Sequence, residues 1–405
     1  MNTRSRLRSI SMEQVQITSP GIGGKADTPR FLIPLDIGIG DTILVGLSAV
    51  DQIIQNDATA YGKIDILCNP LQSQVFEYDP RINRIIQTDK TLFMGPRLSE
   101  WLRGITLNPA EAKIIDFLRN RQYEAVLPTY VAPGLYFRLH SRLMYPDLFK
   151  LGRDLLTLKA PADTTMRKMI RQMVNRYFKK DMPSSTLTDE VILYIDTKHV
   201  QKAVLSMEQV KRMSNIHAED AEVLLVATDS ASLVSRPPTR LFAAALADVL
   251  YRHHHLIVGI LPSYTDTGAA DRLRSALLPD FADHVFIVPP RLIPTLLDTA
   301  ALIDQADILV TGDTGVMHLA VATKRVRQGA VAPGNSVKII AIFGGTNPDI
   351  YGYKNRTLIL GRGRKEQRTF SPGYVKELYD PKGKDLFDHI SPQQLAEAII
   401  SQMRP

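Results

Sequence analysis

The chain has 405 residues, of which 44% are hydrophobic and 22% charged, and it carries a formal net charge of +7. That length suits two domains and the composition is that of a globular protein; no apolar run approaches the ~20 residues that span a bilayer. The lone cysteine, Cys68, excludes an internal disulfide and a cysteine-based zinc site, so cytoplasmic residence is the expectation.

Residues 1–30 are polar and carry Arg4, Arg6, Arg8, Lys25 and Arg30 without the apolar stretch of a secretory signal, so they read as a flexible basic tail. Phe31 to Leu35 is a first buried strand, and Thr42 to Ile54 has helical spacing in Ile43, Leu44, Leu47, Val50 and Ile54. Strands follow at Ile64 to Leu67, Arg84 to Gln87 and Tyr123 to Leu127, with a helix at Ala112 to Arg119. Residues 140 to 190 are basic and helical in tendency, with Arg167, Lys168, Arg171, Arg176, Lys179 and Lys180. A strand at Val191 to Ile195 and a helix at Ser206 to Ser214 lead into the second half.

There the alternation repeats: strands at Val223 to Val226, Leu256 to Leu261, Val285 to Val288, Ile308 to Val310 and Lys338 to Phe343. Helices lie at Arg240 to Tyr251, Asp271 to Leu278, Ile293 to Ala306 and Pro392 to Met403. Strand and helix in turn predict parallel sheets covered on both faces. The expected division is a tail (1–30), a first Rossmann-like domain on the acceptor side (31–195), a second Rossmann-like domain that binds a nucleotide sugar (196–390) and a terminal helix (391–405).

Chemistry-bearing residues fall where strands end, the edge at which open α/β sheets bind ligands. Asp36-Ile37-Gly38-Ile39-Gly40-Asp41 lacks the third glycine of a dinucleotide fingerprint, and Asp65 lies inside a strand instead of at its end. Asp41 therefore either caps the next helix or serves as a catalytic carboxylate. Asp313-Thr314-Gly315 follows a buried strand; Asp313 is expected to cap a helix that Thr314 begins, and such a turn suits a diphosphate. His318, one turn on, is a structural hydrogen-bonder or a donor contact, and no carboxylate or histidine partners it at metal spacing. His253-His254-His255 reads as an exposed helix end. Ser230 to Arg236, with Ser232, offers hydroxyls and a guanidinium suited to phosphate, unless Arg236 is only a solvated loop charge. Thr346 and the backbone of Gly344 and Gly345 have similar potential. Basic residues are spread out, no nucleic-acid motif is present and aromatics are few, so nucleic acid is not the expected partner.

Three segments together resemble glycosyltransferase family 9, the heptosyltransferase-like family. They are Gly40-Asp41 before an apolar helix, Ser235-Arg236-Pro237-Pro238-Thr239-Arg240-Leu241-Phe242, and the pair Asp313-Thr314-Gly315-Val316-Met317-His318-Leu319-Ala320 and Phe343-Gly344-Gly345-Thr346-Asn347-Pro348. The resemblance covers roughly residues 31 to 360. It implies an α/β fold of the GT-B type, with two Rossmann-like parallel-sheet domains facing a central cleft. It also implies an inverting, metal-independent, cofactor-free transfer of a sugar from a nucleotide diphosphate to an acceptor hydroxyl. The family default is ADP-heptose as donor and a lipopolysaccharide core, or another glycan or glycolipid, as acceptor.

By resemblance Asp41 is the base, with Gly38 and Gly40 on the acceptor side. Ser232, Arg236, Asp313, Thr314, Gly315, His318 and Thr346 contact the donor, and Arg236 balances charge on the leaving diphosphate. The chain departs from the family in a longer, more basic connection from Lys324 to Val337. Tyr353-Lys354 follows Gly352 where Gly-Pro is frequent, and Arg236 stands where Lys is frequent. The rival readings are a nucleotide-sugar epimerase and a non-catalytic nucleotide-sugar-binding protein. The basic stretch 138–180 is a candidate surface for peripheral contact with an anionic membrane.

Overall fold

The structure, a computed structural model, describes residues 29–35, 38–88, 117–118, 120–127, 165–179, 190–214, 216, 221–228, 236–263, 266, 268–277, 280–327, 331–332, 337–361 and 386–404. It also describes the backbone of strand segments 16–18, 152–155, 369–371 and 374–375. The expected helix at Ala112 to Arg119 lies outside these residues apart from Phe117 and Leu118.

The first half is built on β1 (Gln16–Thr18), β2 (Phe31–Pro34), β3 (Ile64–Cys68), β4 (Ile82–Gln87), β5 (Tyr123–Val126) and β6 (Gly152–Leu155), in the order β1-β4-β3-β2-β5-β6. All pairings are parallel except that of β1, an antiparallel edge on β4. β2 and β3 are buried at every position, as continuous apolar runs in a parallel sheet require. Helical segments α1 (Ile39–Asp41), a π-helical stretch (Thr42–Leu47) and α2 (Ser48–Asn56) run on without a break after β2. The short α3 (Pro70–Ser73) and a 3-10 turn (Gln74–Phe76) follow β3. α4 (Met166–Phe178) occupies part of the basic region and packs on α2.

β7 (Ile192–Ile195) and α5 (Thr197–Met213) join the halves. α5 starts nine residues before the helix expected from Ser206, because the Asp196 carboxylate accepts from the Lys198 N–H at 3.0 Å and caps it. The second sheet contains β8 (Glu222–Ala227), β9 (Leu256–Leu261), β10 (Val285–Ile287), β11 (Ile308–Gly312), β13 (Lys338–Ile342) and β14 (Thr357–Leu360). Its order is β10-β9-β8-β11-β13-β14, parallel throughout. Its helices are α6 (Thr239–Arg252), α7 (Ala269–Leu277), α8 (Leu296–Ile303), α9 (Gly315–Val321) and α10 (Pro348–Tyr351). α8 is shorter than the expected Ile293 to Ala306: Pro294 interrupts the run and Thr295 caps from there. The last helix, α11 (Pro392–Gln402), packs on α6. A small antiparallel pair, β15 (Thr369–Ser371) and β16 (Tyr374–Val375), precedes it.

Several strands went unrecognised in the sequence, among them β1, which lies within the expected flexible tail and pairs with β4, and one of them joins the two halves. β12 (Thr323–Val326) follows α9 and pairs in parallel with β7 in a separate two-stranded sheet. The first half grips β7 through buried charge. The Asp51 carboxylate accepts from the Ile192 N–H at 3.3 Å, and Arg81 pairs with Asp51 and, at 2.6 Å, with Asp79. Arg81 also donates to the Ile192 carbonyl at 3.3 Å and lies 5.0 Å from the Tyr194 ring centroid. Burial pushes Asp51 up to about 6 although Arg81 pulls it the other way. On the far side Gln74 accepts from the Leu296 N–H, at the start of α8, at 2.8 Å. One apolar cluster, from Phe31 through Leu193 to Tyr353, runs through both halves.

Lys324 sits on β12 with no exposed surface. Its Nζ donates to Asp304 at 2.6 Å and to the Ala320 carbonyl, in the last turn of α9, at 3.0 Å. Burial lowers the Lys324 pKa and raises that of Asp304. Replacing one partner of such a pair strands the other, so Lys324→Ala should lose about 3–5 kcal/mol of stability. Urea unfolding measures this, and an unchanged midpoint would contradict it.

Candidate active site

Gly38 opens the first turn at φ −64° and lends its carbonyl to the Thr42 hydroxyl at 3.0 Å. The helix is already under way at Ile39, so Asp41 lies in its first turn with helical backbone and makes no capping hydrogen bond. The capping alternative for Asp41 is thereby corrected. The π-helical stretch begins at the next residue, a geometry frequent beside functional sites.

The second turn also differs by one residue. Thr314, not Asp313, is the cap, its hydroxyl accepting from the Val316 N–H at 3.3 Å, and α9 begins at Gly315. Thr314 has the extended backbone a cap needs, which leaves the Asp313 carboxylate to face His318, with Nε2 and Oδ1 3.5 Å apart. His318 is buried, and its Nδ1 lies 2.8 Å from the Tyr353 hydroxyl.

The two turns meet. A side chain added at Gly40 would put its first carbon 2.8 Å from His318 Cδ2, and one added at Gly315 would sit 3.2 Å from Ile39. A β-carbon at Gly40 would overlap the His318 ring and one at Gly315 would crowd the Ile39 side chain, with the backbone of the opposite turn 3.5 Å and 3.4 Å away. The contact carries Asp41 into the field of the second turn. Its carboxyl ionises above the usual value, chiefly because burial disfavours the charge; His318 opposes the rise and Asp313 adds to it. A carboxylate held above its ordinary range is equipped to accept a proton.

Along the carboxyl edge of the second sheet, β11 lies between β8 and β13. Thr228 follows β8, and Thr346 and Asn347 follow β13; all three are buried, and among the described residues Thr228 Oγ1, Thr346 Oγ1 and Asn347 Nδ2 have no hydrogen-bond partner. Buried polar atoms are seldom left unpaired, so this row suits a ligand rich in acceptors. Thr228, Asn347 and Tyr353 were missed as site residues, although Tyr353 stood out as a departure from the family pattern.

Arg236 pairs with Asp266 at 3.2 Å, and Asp266 is shared with Arg272. Ser232 lies outside the described residues. Gly344 is held by packing, since a side chain there would run into the Phe387 ring. His253, His254 and His255 follow the end of α6, the last two exposed, as expected. Among the described residues no cluster of His, Cys, Asp and Glu is placed to hold a metal ion, and no helix is long and apolar enough to cross a membrane.

The glycine contacts give a paired expectation. Gly40→Ala should cost about 1–3 kcal/mol through overpacking against His318, whereas Gly38→Ala, which meets nothing within 4 Å, should cost no more than about 1 kcal/mol. Thermal melts compare them, and equal losses would contradict the close approach.

The family model of glycosyltransferase family 9 (heptosyltransferase) matches residues 244–379, a span containing Asp313, Thr314, Gly315, His318, Thr346 and Tyr353 but not Asp41 or Arg236. No curated protein matches the chain. Among solved structures, a family 9 glycosyl transferase from Veillonella parvula DSM 2008 has a TM-score of 0.61 at 17% identity, covering 92% of this chain and 97% of that one. The E. coli ADP-heptose LPS heptosyltransferase II has 0.59 at 15%, covering 92% and 98%. E. coli heptosyltransferase WaaC with ADP has 0.54 at 14%, covering 92% and 100%. The chain thus has the GT-B fold of these glycosyltransferases, and residues 244–379 of its second half match the model of glycosyltransferase family 9.

Proposed function

We propose that the protein is an inverting glycosyltransferase that moves a sugar from a nucleotide-diphosphate donor to an acceptor hydroxyl, with Asp41 as the base. The observation that carries this reading is the meeting of Asp41 with the Asp313-Thr314-Gly315 turn and His318, which puts a carboxylate of raised pKa from one half against the second half's turn.

The division of labour follows from the charge changes of the reaction. As the acceptor hydroxyl attacks the anomeric carbon, its proton passes to Asp41, while negative charge grows on the departing diphosphate. Hydroxyl and amide donors along the carboxyl edge, from Thr228, Thr314, Thr346 and Asn347, together with His318, would receive that charge. Arg236 keeps its proposed role at the diphosphate, in exchange for part of its pairing with Asp266. Two of the three neighbours named above are heptosyltransferases, one an ADP-heptose enzyme of lipopolysaccharide and one bound to ADP. ADP-heptose is accordingly the first donor to test, and a lipopolysaccharide-type glycan the first acceptor. The proposed domain division is 31–195 on the acceptor side and 196–390 on the donor side.

Thermal shift against ADP-, GDP-, UDP-, CMP- and dTDP-sugars should show selective stabilisation by one nucleotide class. Transfer with that donor then separates the rivals: an epimerase releases a free sugar or isomer without acceptor, and a binding protein turns nothing over. Asp41→Asn should lower kcat/KM by about 10²–10⁴-fold while donor affinity persists. Residual activity close to wild type would remove Asp41 as the base.

The same substitution has a stability signature. Because the folded protein holds the Asp41 proton more tightly than the unfolded chain does, ionising Asp41 costs stability. That cost is absent below the ordinary value of 3.8 and complete once pH exceeds the raised one. Asp41→Asn should therefore raise Tm at neutral pH, and the gain should vanish in acid.

The basic stretch 138–180 contributes a proposed peripheral contact with anionic lipid. In its described part Lys168, Arg176 and Lys179 are exposed, whereas Arg171 is buried and Arg167 lies 4.1 Å from the Tyr353 ring centroid. Flotation with vesicles should depend on anionic lipid; flotation independent of it, or none, would remove the contact.

A further inference from the structure

Tyr353 belongs to no segment that carried the family resemblance, yet it is fully enclosed between the two halves. Its hydroxyl lies 2.8 Å from His318 Nδ1, and its ring faces the Arg167 guanidinium of α4 at 4.1 Å. Arg167 also donates to the neighbouring Gly352 carbonyl at 3.4 Å. The Tyr353 carbonyl accepts from the Arg356 N–H at 2.8 Å and from the Thr357 hydroxyl at 3.0 Å, so its backbone is pinned as well.

We propose that Tyr353 is a positioning residue that donates its hydroxyl proton to His318 Nδ1 and so holds the neutral imidazole with its proton on Nε2, facing the Asp313 carboxylate and the Gly40 turn. Of the two neutral tautomers, both ends of the ring select this one. If Nδ1 carried the proton, the buried Tyr353 hydroxyl would have to donate elsewhere, and His318 is its one hydrogen-bond partner among the described residues. Nε2 would then turn a lone pair toward the Asp313 carboxylate 3.5 Å away, which can only accept. Fixing the tautomer through the opposite nitrogen is the usual way a histidine is committed to one task. Resting on the glycosyltransferase reading, the consequence is that Nε2–H is a ready donor to an oxygen of the nucleotide diphosphate. Arg167 makes that readiness depend on the first half being packed against the second.

The test is nitrogen-15 NMR of the full chain with labelled histidine, His318 being assigned by its loss in His318→Gln. Wild type should show an acceptor-type Nδ1 and a protonated Nε2, and Tyr353→Phe, which keeps the ring, should show a mixture of tautomers. Donor affinity, by titration with the nucleotide sugar that stabilises the wild type, should fall about three- to tenfold in Tyr353→Phe. A wild-type proton on Nδ1, or an unchanged signature in Tyr353→Phe, overturns the proposal; the wild-type spectrum decides even if the variant folds poorly. Absence of transfer with any donor and acceptor would instead overturn the enzymatic reading, and the tautomer assignment would stand.

Discussion

Gly40 and Gly315 let two strand-to-helix turns approach closely, Gly40 against the His318 ring and Gly315 against Ile39, and the candidate site depends on that contact. A carbon at Gly40 would meet His318, and one at Gly315 would meet Ile39. Each turn alone is an ordinary strand-to-helix connection: the first has a carboxylate with no partner charge, and the second has a histidine flanked by its own aspartate. Only in contact do Asp41, Asp313 and His318 share one electrostatic environment, in which burial raises Asp41 and His318 restrains the rise. The glycines are needed for the approach, and the chemistry follows from the approach.

That contact must be held by elements far from it. β7 pairs with β12 of the second half while Asp51 and Arg81 of the first half bind its backbone. Lys324, one residue into β12, reaches back to the last turn of α9, the helix that carries His318, and to Asp304 beyond the end of α8. Buried ion pairs add little net stability compared with apolar packing, but they tolerate few alternative arrangements. Here they tie the crossing strand and the site helix to fixed partners, and the shared apolar cluster supplies the bulk of the attraction.

Much of this was legible in the sequence. Buried parallel strands such as Leu256 to Leu261 are continuous apolar runs, and their bounds emerged as expected. The D-T-G and F-G-G-T-N-P turns pointed to the second half's site because strand ends and glycines are local signals. What escaped depends on distant partners. β12 begins Thr-Lys-Arg, a sequence with no strand pattern, and becomes a strand because β7 offers it an edge. Lys324 looked like part of a basic connection; nothing local announces that Asp304, twenty residues earlier, will bury it. Capping at Asp41 and Asp313 was misjudged by one turn and one residue, since a cap is decided by backbone angles that composition does not encode. Tyr353 was visible only as a departure from the family pattern, and its partner His318 lies 35 residues away.

The most direct measurement is a double-mutant cycle between Asp41→Asn and His318→Gln, read in unfolding free energy at neutral pH. If the two turns form one site, the substitutions are coupled by at least about 0.5 kcal/mol, because removing His318 takes away the polar neighbour that opposes the rise of Asp41. Additive effects would mean that Asp41 and His318 do not sense each other, and the shared site between the halves would be contradicted.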